Sequence, residues 1–255
     1  MKIALISDIH SNLEALQACL AHADRAGAGM YVFLGDLVGY GADPVACLTL
    51  LADYADKGAL LVLGNHDEAA LGGLCMNMSS FAREATYWTR AQLGEKERAF
   101  LSSLPLTRRH NDLLLVHASA ETPGDWLYIE SQQRAQRCMD ATDAAVTFVG
   151  HVHSQILYWR PVSAAGTVTG AAGTHAFVPT AGVPIHLTSR RRWLAIVGSA
   201  GQPRDGYNTA AYAMFDDAAR TLSFFRVPYD HVTTARKIID AGLPEWLAWR
   251  LHRGE

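Results

Sequence analysis

Five short apolar stretches of this sequence each end on residues able to bind a cation. Residues 2–7 lead into Asp8-x-His10, residues 30–34 into Gly35-Asp36, and residues 59–63 into Gly64-Asn65-His66-Asp67. Residues 113–117 end on His117, and residues 145–149 lead into Gly150-His151-Val152-His153. Asp8, His10, Asp36, Asn65, His117, His151 and His153 together offer seven oxygen and nitrogen donors. Seven are too many for one tetrahedral ion but suit two ions that share a carboxylate, about 3.5–4 Å apart. The set holds no thiolate, and its mixture of carboxylate, amide and imidazole fits Mn²⁺, Fe or Zn²⁺ better than a structural zinc. His151 and His153 alternate in a segment that reads as extended, which sends both rings to one side. A single Asp after a strand is ordinarily a helix cap and a single His is ordinarily a packed residue; five such sites in succession are hard to obtain that way. His66 adjoins a donor and can carry a proton to a leaving oxygen near neutral pH. Asp67 either orients this region or caps the helix that follows.

Donors so far apart in sequence need a scaffold that gathers strand ends. Residues 2–7, 30–34 and 59–63 are apolar without alternation. Between the first two, Ser11-x-x-Glu14 reads as a capping box, with Leu13, Leu16 and Leu20 on one helix face and Gly27 and Gly29 beyond its end. Asp43-Pro44 supplies an N-cap and a proline at the first position of a second helix, reaching about residue 55. The resulting β-α-β-α-β order predicts parallel strands covered on both faces. Ligands of such sheets bind at the carboxyl ends of the strands, where the donors fall along one edge. Further helices are predicted over residues 79–92, 95–101, 130–139, 231–241 and 244–252. From residue 156 to about residue 227, short strands and Gly/Thr/Pro-rich turns predict an antiparallel meander, with residues 164–173 a small-residue loop. With no linker and no internal repeat, residues 1–255 read as a single domain.

Composition narrows the function classes. The 255 residues carry a net charge of -3 with histidine neutral, which argues against a general nucleic-acid or anionic-membrane binder. Cys19, Cys47, Cys75 and Cys138 lie far apart with no C-x-x-C pair, so they read as buried apolar residues rather than a zinc knuckle or a disulfide framework. No apolar run approaches a membrane span, and the first one stops at Asp8, too soon for a signal-peptide core. The expectation is a reduced, cytoplasmic protein. Arg190-Arg191-Arg192 reads as a solvated turn, with an anion-binding surface as the alternative; Trp126 and Tyr128 either line a pocket or simply pack.

The ordered series D-x-H, G-D, G-N-H-D, H and G-H-x-H over residues 8–153 resembles the calcineurin-like metallophosphoesterases. Residues 198–206, GSAGQPRDG, extend the likeness to small bacterial members of the YfcE phosphodiesterase type and to a protein-phosphatase-like branch. The resemblance implies an α/β fold of four layers, α/β/β/α, a two-sheet β-sandwich flanked by helices. It implies Asp8, His10 and His153 on one metal, Asn65, His117 and His151 on the other, Asp36 bridging, and His66 facing the scissile phosphate. Two divalent ions per chain are expected, manganese first, with iron, zinc, nickel or magnesium as alternatives. The implied reaction is phosphodiester or phosphomonoester hydrolysis by in-line attack of a metal-bridging hydroxide. Serine/threonine-type protein phosphatase and dinucleoside polyphosphate hydrolase are the alternatives. A non-catalytic scaffold on the same fold would predict eroded donors and a missing His66, and all are present.

Where the phosphoprotein phosphatases carry two phosphate-clamping arginines, this chain has Tyr40 and Leu63. That loss weakens the grip on a doubly charged monoester and leans towards a diester. Asn12, Tyr40 and Arg204 are the candidate substrate contacts, Arg204 as a replacement clamp and Tyr40 as a platform for the second ester arm. The expected partner is a small-molecule phosphoester, with no membrane or general nucleic-acid binding, and an oligomer is possible.

Overall fold

The computed structural model describes residues 1–73, 78–162 and 173–255. In chain order the elements are β1 (Lys2–Ile6), α1 (Leu13–Arg25), β2 (Met30–Phe33), α2 (Pro44–Asp56), β3 (Leu60–Leu61), α3 (Asn65–Ala70), α4 (Ser80–Gln92) and α5 (Glu95–Ser102). Then follow β4 (Thr107–His110), β5 (Leu113–Val116), α6 (Gln132–Asp140), β6 (Val146–Val149), β7 (Gln155–Pro161), β8 (His175–Phe177) and β9 (Ile185–His186). The chain continues through β10 (Arg191–Val197), β11 (Ala210–Asp216), β12 (Thr221–Val227), α7 (His231–Asp240) and α8 (Glu245–Arg253). Among the described residues they build two six-stranded sheets, ordered β3-β2-β1-β11-β12-β9 and β4-β5-β6-β10-β7-β8.

The missing polar alternation of the early strands has a direct cause. Side chains alternate across a strand, so Ile3 and Leu5 of β1 point between the sheets, where they meet Phe148, Trp193, Phe215 and Phe224. Ala4 and Ile6 point outwards against Leu16, Cys19 and Leu20 of α1. On the far side, Leu194 and Ile196 of β10 pack on Ala135, Cys138 and Met139 of α6. Four layers, α/β/β/α, result, as the resemblance implied.

Several details differ from the sequence reading. β1, β2 and β3 are parallel, but β11 joins β1 antiparallel, so the first sheet is mixed. The five donor-bearing strands are not on one edge: β1, β2 and β3 belong to one sheet, β5 and β6 to the other. α1 is capped by Asn12, which accepts from Ala15 N at 3.1 Å, rather than by a Ser11 capping box. Glu14 is drawn away to Lys237. β4 was not foreseen, because Arg108 and Arg109 hide an edge strand in charge. The predicted loop at 164–173 lies, except for Gly173, outside the described residues, as does Cys75; Cys19, Cys47 and Cys138 are free and buried. The arginine run is a solvated turn only at Arg190, which is exposed, whereas Arg191 and Arg192 begin β10. Arg191 lies 3.7 Å over the Trp159 ring, and Arg192 donates to Met139 O and Thr142 O at the end of α6. No helix among the described residues is long and apolar enough to cross a membrane.

Candidate metal centre

All seven donors converge where the carboxyl ends of the two sheets meet. Their side-chain atoms form two clusters that share one residue: Asp8, His10, Asp36 and His153, and Asp36, His117 and His151. Within the first, His153 Nε2 lies 3.2 Å from Asp8 Oδ1, and His10 Nε2 lies 3.7 Å from Asp36 Oδ2. Within the second, His117 Nε2 is 3.3 Å from Asp36 Oδ2 and 3.2 Å from His151 Nδ1. Asn65 Oδ1 stands 3.1 Å from His117 Nε2, adding the amide to this second group.

The four imidazoles are held alike, each by one ring nitrogen against a backbone carbonyl. His10 Nδ1 donates to Val38 O (3.2 Å), His153 Nδ1 to Gln202 O (2.6 Å), His117 Nδ1 to Leu34 O (2.7 Å) and His151 Nε2 to Trp126 O (3.0 Å). These bonds fix the outer nitrogens as donors, so each ring, when neutral, turns a lone pair inwards. The inward nitrogens of His10 and His153 are then 3.1 Å apart beside two carboxylates. Lone pairs and carboxylates crowded this closely need positive charge between them, so the donor set fits bound cations. The orienting partners are main-chain oxygens, and no residue type signals them in the sequence.

The backbone is specialised for this convergence. Asp8, His10, Asp36, His151 and His153 all have φ between 49° and 65°. This left-handed region is uncommon for residues with a Cβ and costs roughly 1–3 kcal/mol where it is not relieved. It corrects the extended reading of His151-Val152-His153: the two rings reach different clusters from a tight turn. The turns lock to one another, with Asp8 N donating to Gly35 O (3.1 Å) and His10 N to Asp36 O (2.9 Å). Two glycines permit the approach. A Cβ on Gly150 would stand 1.8 Å from Ser7 Oγ, and one on Gly64 2.1 Å from Asp36 N.

Burial and mutual charge set the electrostatics. Burial works against the Asp36 carboxylate, yet His117 and His66 hold it well below the usual range. Asp8 is likewise held low, His153 outweighing burial. Burial depresses His10, His151 and His153, leaving them neutral and ready to ligate. His117 is opposed by burial but raised to about 9 by Asp36.

The remaining candidates take distinct places. His66 lies beside the donors with its ring 5.0 Å from that of His10, and its Nδ1 has no hydrogen-bond partner. Burial lowers its pKa to about 4. Asp67 is fully buried and accepts from Leu37 N (2.8 Å), Val38 N (3.1 Å) and Gly64 N (2.9 Å). It therefore both closes the start of α3 and clamps the loop after Asp36. The Tyr40 ring packs 4.6 Å from His10 and 4.4 Å from His66. Arg204 reaches the same place, its guanidinium carbon 5.8 Å from the Tyr40 centroid. Asn12 does not come to the cleft: its Nδ2 donates to Gly201 O and its Oδ1 caps α1.

A cleft of about 1020 Å³ opens over Asn65, His66 and His151, with Tyr40, Trp126 and Tyr128 in its walls. Tyr128 stacks on His151 at 3.9 Å, so both aromatic residues left open by the sequence do line a pocket. Arg134 and Arg250 also border it, and neither belongs to any motif.

The Calcineurin-like phosphoesterase superfamily domain matches residues 1–218. The chain belongs to this superfamily. It is 38% identical to a metallophosphoesterase from Sphaerobacter thermophilus, and the two structures align over 100% of both chains with a TM-score of 0.85. It is 35% identical over 257 residues to the uncharacterized protein MJ0912 of Methanocaldococcus jannaschii, covering 99% of this chain and 98% of that one. The hypothetical protein PH1004 from Pyrococcus horikoshii OT3 shares the fold at 18% identity, with a TM-score of 0.77 over 100% of this chain and 98% of the other. Within this calcineurin-like phosphoesterase, the helices α7 and α8 lie beyond the span that the domain matches.

Proposed function

We propose that this protein hydrolyses a phosphodiester, or an unspecialised phosphoester, at a centre of two divalent cations. The observation that carries the reading is that Asp36 belongs to both buried donor clusters. Asp8, His10 and His153 would hold one cation, Asn65, His117 and His151 the other, with Asp36 touching both. The absence of thiolate and the presence of an amide favour manganese, with iron, zinc, nickel or magnesium as substitutes. When bound, such ions supply Lewis acidity to the phosphoryl oxygens and to water.

The chain's own groups complete the reaction. His66 lines the cleft beside the donors, and its imidazole, neutral near pH 7, is placed to donate a hydrogen bond to the leaving oxygen. Tyr40 packs on both His10 and His66 and so fixes where that imidazole points. Arg204 offers a guanidinium for a non-bridging phosphoryl oxygen. The walls of Trp126 and Tyr128 leave room for an organic arm, which suits a diester.

The test uses metal-depleted full-length protein with bis-p-nitrophenyl phosphate. Activity restored by Mn²⁺ and abolished in Asp36→Asn supports the reading. Hydrolysis that persists without metal, or that survives in Asp36→Asn, overturns it.

A further inference from the structure

Two guanidinium groups, those of Arg204 and Arg250, border the cleft. Among the described residues, neither Arg204 nor Arg250 makes a salt bridge. Arg204 Nη2 donates to Gln202 Oε1 at 2.8 Å and approaches Tyr40 Oη at 3.5 Å, while its Nε is buried with no partner. Arg250, on α8, donates Nε to the Glu255 backbone carbonyl at 2.5 Å. Burial, and after it the charge of Arg204, bring the pKa of Arg250 down to about 10 against the opposing pull of Tyr40 and Glu255, so Arg250 stays charged at neutral pH.

The fold ties both arginines to the elements around the metal donors. Leu247, Ala248 and Leu251 of α8 pack into one cluster with Tyr40, the residue that touches His10 and His66. Gly206 N donates to Gly254 O at 2.9 Å, tying the loop after Arg204 to the end of α8. Lys237 of α7 pairs with Glu14 and Asp43, anchoring the helical pair to the starts of α1 and α2. Two guanidinium groups on the lining of one open cleft favour a bound anion there.

We propose that Arg204 and Arg250 form a second anion position beside the metal centre, and that the preferred substrate is a phosphoester carrying a further phosphate group. This rests on the phosphoesterase reading above. Arg250 is the outer member, added by a helix outside the matched family domain. A dianionic phosphate suits two guanidinium groups in charge and in paired hydrogen bonding. The acidic side chains of the cleft, Glu68, Asp125 and Glu130, come from α3 and from the segment before α6, so the extra phosphate is steered away from that wall.

The experiment compares two chromogenic diesters with the same leaving group: thymidine 5′-(p-nitrophenyl phosphate), with and without a 3′-phosphate. On the Mn²⁺-loaded full chain, the 3′-phosphate should lower KM by about tenfold, equivalent to one extra charge-assisted contact. In Arg250→Gln the ratio between the two probes should collapse towards one, Arg250→Lys should keep part of it, and Arg134→Gln, which changes the cleft lining on α6, should keep all of it. Equal KM values in the parent protein, or an undiminished ratio in Arg250→Gln, would overturn the proposal while leaving the phosphoesterase reading intact. If neither probe is hydrolysed, that reading fails instead. Calorimetric binding of thymidine 3′,5′-bisphosphate against thymidine 5′-monophosphate then decides: tighter binding of the bisphosphate that Arg250→Gln removes supports the second position, and equal binding overturns it.

Discussion

The backbone N–H of His151 donates to both carboxylate oxygens of Asp8, at 3.1 and 3.0 Å. A residue at the end of β1 thus fixes the turn after β6, in the opposite sheet, that carries two imidazoles. Asp8 belongs to one donor cluster but positions a member of the other. Elemental analysis should therefore find that Asp8→Ala depletes both ions, whereas His10→Ala, in the same cluster, depletes chiefly one. Equal losses in the two variants would show that the bond to His151 has no positioning role.

His66 touches the cleft without joining either cluster. His66→Asn should lower kcat by on the order of 10²–10⁴ with an activated diester, the usual worth of a positioned acid. Metal content should stay at the parent level. Loss of an ion in this variant would make His66 a ligand rather than a hydrogen-bond donor to the leaving oxygen.

The missing arginine pair bears on substrate charge. A monoester near pH 7 carries close to two negative charges and a diester one, so the monoester depends more on Arg204. Arg204→Ala should reduce kcat/KM for p-nitrophenyl phosphate more than for bis-p-nitrophenyl phosphate, and the parent should turn over the diester at least as well. A strong monoester preference in the parent protein would count against the assignment of Arg204 and Tyr40.

Stability and pH should be linked through His117. Asp36 lifts its pKa to about 9 against the opposing effect of burial, from about 6.5 when unfolded. A group raised in the folded state adds stability that is fully present below the unfolded value and is lost as pH rises through the folded one. Metal-free protein should therefore lose thermal stability between about pH 7 and 9, more than His117→Asn does over the same range. A bound cation requires the neutral ring, so Mn²⁺ should remove that slope and its affinity should rise with pH. Identical slopes for chelated parent and His117→Asn, read by thermal melts, would refute the linkage.

Much of the centre was legible because metal donors must be specific side chains at fixed places. The series from Asp8 to His153 named all seven, and the structure gathers them. The distribution of strands over two sheets was not legible, since β1 and β6 have the same apolar texture whichever sheet they join. Left-handed backbone at Asp8 or His151 leaves no mark in residue type, because the ligand's chemistry outweighs the preference for glycine. Asn12 misled because the same amide that can touch a substrate can cap a helix, and only the register of α1 decides. Arg250 was silent for another reason: nothing in sequence places residue 250 on the same cleft as residue 204.

The left-handed turns also set stability against activity. At Asp8, His10, Asp36, His151 and His153, glycine or asparagine would sit more comfortably on the backbone than the residue present. Selection of a variant library for heat resistance alone, in chelator, would thus drift towards well-folded proteins that have discarded their ligands one by one. Only a screen that keeps metal in the medium would let the cation's own binding energy hold those residues in place.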